Sequence, residues 1–247
     1  MKVSVYNNND IKLQGLTYYN DSYKYWDLNH CKHAFENDYF NLLPQINGRF
    51  HNQNLPMAII TLSDYKHNFS NYYDRLSYSV RRDIQKSKKN KFYFKKFNFN
   101  HHIYDFLDIN HSQNNRKKIN PWYLQEPDVF TNSHSGYRHE WEDDTHYSQW
   151  FGLFKYFKHY RQGDETTNEK MFAYCKLAVE GELATVHLIW GHRNFFDKGI
   201  MFHLITSVVE EIMKDERIKC LVYYAWNQYP QWKSRMLFRP QNIQIVL

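Results

Sequence analysis

Only three cysteines occur in 247 residues, Cys31, Cys175 and Cys220, with no CxxC pair. That leaves no even-numbered disulfide framework, and the two inside apolar stretches read as reduced core thiols. Glycine and proline are also scarce, at 8 and 6 residues. A glycine-rich phosphate loop, a dinucleotide fingerprint, a GxSxG nucleophile elbow and an EF-hand loop are all absent, which removes the enzyme classes with those spellings. No apolar run approaches the roughly 18 residues a membrane span requires. The opening MKVSVYNNND lacks the apolar stretch of a secretion signal, so a cytoplasmic location is expected.

Aromatic residues are abundant instead, at 19% of the chain against a mean hydropathy of −0.80. Aromatic rather than aliphatic side chains must supply much of the buried surface. The formal charge of +6 would suit an anionic partner. However, the accompanying richness in Asn, Lys, Tyr and Phe is what an AT-rich coding sequence produces, so the charge reads first as a solvated surface.

Residues 1–75 read as an irregular extension packed on the core, broken by polar aromatic stretches and holding one short strand, MAIITL (57–62). Residues 76–247 read as the main domain. Leu76, Val80 and Ile84 fall at helical spacing, with Arg81, Arg82, Lys86, Lys88 and Lys89 on the other faces, giving a basic amphipathic helix. FYFKKF (92–97) alternates as a strand, and Ile103, Phe106, Leu107 and Asn110 resume a helical period. A long polar connection spans 118–147.

Four strand candidates follow, at 150–157, 171–179, 182–190 and 218–226, and Glu180-Gly181 turns the second into the third. Met201, Leu204, Ile205, Val208, Val209 and Ile212 trace one face of a helix between the third and fourth. A strand–helix–strand unit requires a right-handed crossover and a parallel pair. PQWKSRM is a last helical piece, and NIQIVL a terminal strand.

This order resembles the GNAT superfamily of acyltransferases. LFRP (Leu237–Pro240) is similar to the GF-x-P that closes the family's final helix, with Leu237 at the Gly position, and Asn227 stands where the family often carries an Asn. VRRDIQKSKKNKFYFKKF resembles the helix and strand that open the GNAT module of Fem-type aminoacyltransferases, and NHSQNNRKKINPWY a Ser-x3-Arg segment of related GNAT-like proteins. The resemblance implies a mixed, mostly antiparallel α/β sheet with a central parallel pair splayed at its C-terminal ends, flanked by helices. It implies an N-acyltransferase using acyl-CoA or aminoacyl-tRNA as co-substrate, with an amine acceptor.

In such a fold the helix after the first parallel strand aims its N-terminal N–H groups into the gap, where an anionic donor can anchor. Trp190, Gly191, Arg193, Asn194, Lys198, Gly199 and Asn227 are therefore the expected donor-binding residues. Asp197 departs from the family's phosphate loop and is expected to cap the helix. Lys233 stands where many relatives carry the Tyr that protonates the leaving group, with Tyr229 the nearest tyrosine. His187 and His192 are the candidate bases.

Two alternatives compete. His134, His139, Glu142, Asp143, Asp144 and His146 cluster, but without an HExxH spelling in a chain of 14 histidines, and no metal is expected. A non-catalytic GNAT-like protein contacting nucleic acid or a host protein through its basic, aromatic surface is the second reading. Arg81, Arg82, Lys86 and Lys89 would then meet tRNA or other nucleic acid.

Overall fold

The structure, a computed structural model, describes residues 3–6, 12–16, 57–113, 146–162, 165–180, 182–241 and 244–246. In chain order the elements are β1 (Val3–Tyr6), β2 (Lys12–Leu16), β3 (Met57–Thr61), α1 (Phe69–Arg75), α2 (Tyr78–Lys89) and β4 (Tyr93–Lys96). Then come α3 (Ile103–His111), β5 (His146–Gln162), β6 (Glu165–Glu180), β7 (Leu183–Gly191), α4 (Ile200–Ile212), β8 (Cys220–Ala225), α5 (Pro230–Arg235), β9 (Arg239–Gln241) and β10 (Gln244–Val246). Among the described residues no helix is long and apolar enough to cross a membrane.

Seven strands form the main sheet in the order β4-β5-β6-β7-β8-β3-β9. The expected crossover is present: β7 and β8 are parallel, with Leu183, Ala184 and Thr185 opposite Cys220, Leu221 and Val222, and every other neighbouring pair is antiparallel. Two features differ from the sequence reading. β3, from the segment ahead of residue 76, lies inside the sheet between β8 and β9. The NIQIVL strand leaves the main sheet as β10 and pairs with β1 in a separate three-stranded sheet, so β9 closes the main edge. Pro240 sits on that edge, where its missing N–H breaks no ladder bond.

Helix limits follow local chemistry. The Asn68 side chain accepts from Ser70 N at 2.8 Å and opens α1, and Ser77 Oγ accepts from Val80 N at 3.4 Å and opens α2. α2 buries Val80, Ile84 and Ser87 and leaves Arg82, Lys86, Lys88 and Lys89 exposed, as an amphipathic surface helix should. Leu237 takes a left-handed φ of 65° just after α5. That explains why the related motif prefers Gly at this position.

The two sheet faces build two cores. One face carries Leu153, Cys175, Leu177, Ala184, Val186 and Leu221 against α1, α2 and α4; the other carries Phe154, Met171 and Tyr174 against α3. A bulge in β7 decides which residues face which core. Lys176 lies opposite Leu188 but Leu177 opposite Val186, so His187 is the extra residue. Side-chain alternation therefore flips: Ala184 and Val186 belong to the first core, while Leu188 and Trp190 pack on the second.

Candidate active site

Pairing between β7 and β8 ends at Thr185 and Val222, although β7 continues to Gly191 and β8 to Ala225. The two strands part there. Gly191 lies opposite Ala173, and the next residue, His192, donates its N–H to Phe172 O at 2.8 Å. In an antiparallel ladder that bond makes 192/172 the hydrogen-bonded pair, so the Gly191 carbonyl turns away from β6, toward the opening. Gln113 Nε2, from the end of α3, donates to that carbonyl at 2.6 Å. The adjacent Ser112 Oγ accepts from Arg193 N at 3.0 Å. A Cβ at Gly191 would meet Met201 Sδ and crowd Phe196 and Ile200, so a side chain there requires Met201 to shift.

Beyond Gly191 the chain forms a short 3₁₀ turn, Arg193–Lys198, in place of an extended phosphate loop. His192 opens it, its Nδ1 accepting from Asn194 N at 3.3 Å. The proton of the neutral ring is then on Nε2, which faces the Asp108 carboxylate at 3.7 Å, and Lys170 meets the same carboxylate at 2.8 Å. Burial lowers the His192 pKa, partly opposed by Asp108.

Asp197 does not cap α4. Its carboxylate pairs with Lys198 at 2.8 Å, and that bond lowers its pKa. Gly199 occupies the cap position at φ 76°, with no side-chain cap. Only glycine fits, since a Cβ would collide with the Asp83 carbonyl of α2. The start of α4 thus has the Asp83 main-chain oxygen packed against Gly199 and, beside it, an exposed carboxylate whose charge is met by Lys198.

Across the opening, Tyr223 is the first residue of β8 beyond the paired stretch, and Lys233 Nζ of α5 stands 4.6 Å from its ring centroid. Lys233 is only 1% exposed, and burial pushes its pKa down to about 8. Trp232 stacks on Phe202 of α4, and Arg235 lies over the same ring. Burial, aided by Lys176, pushes His187 down to about 3.

The structure gathers Gly191, His192, Arg193, Asn194, Lys198 and Gly199 into one turn. It sends Trp190 to the opposite core and puts Lys233 beside Tyr223. Tyr229 is 63% exposed, at a left-handed φ of 54°, and Asn227 is exposed two residues earlier. Asp108, Ser112 and Gln113 grip the turn from α3, and sequence reading gave none of them a role. Among the described residues no group of three or more His, Cys, Asp or Glu could hold a metal ion. Residues 134–144 of the acidic histidine cluster lie outside the described residues.

Comparison with solved structures places this architecture. FemX superposes with a TM-score of 0.55 at 8% identity over 75% of this chain, which spans 59% of that chain's length. The fold is GNAT-like. The C-terminal domain of a putative lysylphosphatidylglycerol synthetase from Agrobacterium fabrum matches with a TM-score of 0.45 at 12% identity over 77% of this chain and 59% of that one. L-PGS from Bacillus licheniformis gives 0.46 at 10% identity over 77% and 58%. No family model matches the sequence, and no curated protein matches it.

Proposed function

We propose that the protein is an N-acyltransferase whose donor lies across the opening between β7 and β8 and whose acceptor is an amine. The observation carrying this reading is the buried Lys233 beside the first unpaired residue of β8. A neutral amine attacks the donor's carbonyl carbon, the C–N bond forms, and the C–O bond of an ester or the C–S bond of a thioester breaks. Protonated Lys233 gives its proton to the departing oxygen or sulfur, and neutral Lys233 takes the proton that the new amide nitrogen sheds. A pKa of about 8 suits both steps, because proton transfer is most efficient when the group titrates near the working pH. His187 is too weakly basic for this exchange, and the Nδ1 lone pair of His192 is already used by the Asn194 amide.

An aminoacyl ester is favoured over acyl-CoA as donor. The Asp83 carbonyl packed against Gly199 leaves little room for a pyrophosphate at the start of α4, and the exposed Asp197 carboxylate, paired with Lys198, adds little either way. Exposed Arg82, Lys86, Lys88 and Lys89 on α2 offer phosphate contacts to a tRNA body, with Arg81 half-buried beside Asp74. The same face carries the second reading, a protein that binds a polyanion without catalysis.

Labelled acyl transfer tests the proposal. Label from charged tRNA or from acetyl-CoA should enter an amide with an acceptor in a bacterial extract. No label from either donor, with folded protein that still binds RNA, would overturn catalysis in favour of binding.

A further inference from the structure

Gln113 is fully buried at the end of α3, where the sequence shows only a polar run leading into a long connection. Its orientation is fixed chemically: the Gly191 carbonyl can only accept, so the amide nitrogen faces it. The same nitrogen lies 3.4 Å from Ser112 Oγ. Oε1 points the other way and has no hydrogen-bond donor, although a buried acceptor ordinarily has one. The Gly191 carbonyl faces the side from which β8 has diverged, as the pairing of 192 with 172 requires. An unsatisfied amide oxygen therefore sits where the parallel strands part, held in place through Gly191.

We propose that Gln113 is a donor-binding residue, its Oε1 accepting an N–H from the acyl donor in the opening between β7 and β8. The inference rests on the acyltransferase reading. Two donors carry an N–H close to the reacting carbonyl: an aminoacyl ester through its α-amino group, and an acyl thioester of coenzyme A through the nearest amide of its pantetheine arm. The recognition chemistry is shared, and the donor decides which source is used.

The test measures steady-state transfer from aminoacyl-tRNA and from acetyl-CoA with wild type, Gln113→Met and Gln113→Glu. Met keeps the volume and removes every hydrogen bond of the amide; Glu keeps an acceptor oxygen and loses the bond to Gly191. For the donor used, Met should raise KM by roughly tenfold, the worth of one good buried hydrogen bond, with kcat within about twofold. Glu should keep KM near wild type for the aminoacyl donor, because its oxygen still accepts and its charge attracts the ammonium. A merely structural role in holding Gly191 would make both variants fail alike, and that result overturns the inference.

A donor lacking the contacting N–H sharpens the measurement: an acyl-tRNA without the α-amino group, or a coenzyme A analogue N-methylated at that amide. It should lose the same factor on wild type and nothing further on Gln113→Met. Independent, additive losses overturn the inference as well. Unchanged KM in an otherwise active Gln113→Met protein removes this assignment alone, whereas a wild type inactive with both donors removes the acyltransferase reading beneath it.

Discussion

Two buried polar centres lie on opposite faces of the sheet and treat charge in opposite ways. Under α3, Asp105 is fully buried and accepts from Tyr160 OH at 2.8 Å and Met171 N at 2.9 Å, with His102 Nδ1 at 3.3 Å. The Met171 amide is free to donate because β6 bulges at Phe172: Leu153 lies opposite Ala173, but Phe154 lies opposite Met171. Around this centre Glu169 takes Tyr93 OH at 2.5 Å and pairs with Lys95, within 3.7 Å of His102 Nε2. Under α5, by contrast, Lys233 is buried against aromatic surface and burial alone lowers its pKa. A carboxylate given three donors secures a bulge; burial of an ammonium favours its neutral form. The contrast separates a structural centre from the one proposed to carry chemistry.

Replacing Lys233 should break the comparison most visibly. Lys233→Met should lower kcat by about 10²–10⁴, the usual range for a lost acid–base group. It should also leave stability unchanged or raise it. The Lys233 pKa falls from 10.5 in the unfolded chain to about 8 in the fold, so below pH 8 the ammonium costs the native state on the order of 3 kcal/mol. The missing stability returns as pH rises from about 8 toward 10.5. A denaturant titration beside the kinetics checks both, and a destabilised Lys233→Met protein would mark the lysine as structural.

Asp105→Ala should show the opposite signature. It leaves the Met171 amide and Tyr160 hydroxyl buried without their acceptor, so urea unfolding should reveal a loss of about 2–4 kcal/mol. Donor KM should then change mainly through α3, whose last turn holds Gly191 and Arg193. Unchanged stability would mean that solvent replaces the carboxylate easily.

Acid should weaken the interface between α2 and α4 next. His203 is buried there, its Nδ1 2.9 Å from Ser87 Oγ, and burial pushes its pKa down from 6.5 to about 4. The unfolded chain binds this proton more readily, so stability is fully present above pH 6.5 and is lost as pH falls through 4. The His203 share is on the order of 3 kcal/mol, and His187 extends the loss toward pH 3. His203→Gln, which keeps a partner for Ser87, should flatten the stability profile between pH 6.5 and 4. A profile as steep as wild type would show that other groups set the acid limb.

Most of the fold was legible in the sequence, because β7, α4 and β8 announce themselves by periodicity and their order allows only one handed crossover. β3 was visible as a strand, but its place beside β8 was not: nothing in MAIITL encodes which sheet edge it meets. Lys233 and the 191–199 turn could be singled out as candidates because the motifs that point to them are local in sequence. Gln113 and Asp108 could not, since each gains meaning only when α3 packs across the sheet onto residues far along the chain. Asp197 failed for a subtler reason. Its spacing suited a cap, but the chain tightens into a 3₁₀ turn that hands the cap position to Gly199 and leaves the carboxylate beside Lys198.

That last detail sets the smallest expected effect. A capping Asp197 would hold the first amides of α4, so Asp197→Gly would both weaken the helix and release those amides to an anionic donor. With the carboxylate turned instead to Lys198 in solvent, neither consequence follows. Asp197→Gly should leave thermal stability unchanged within error, and donor affinity should rise by no more than about twofold at physiological salt, where an exposed charge is largely screened. Its residual long-range effect should vanish at higher ionic strength. Calorimetric titration of a non-reactive aminoacyl-tRNA analogue at two salt concentrations separates the cases. A gain of tenfold or more, insensitive to salt, would show that the Asp197 carboxylate competes directly for the start of α4, and would restore that helix end as the anchor for a phosphate-bearing donor.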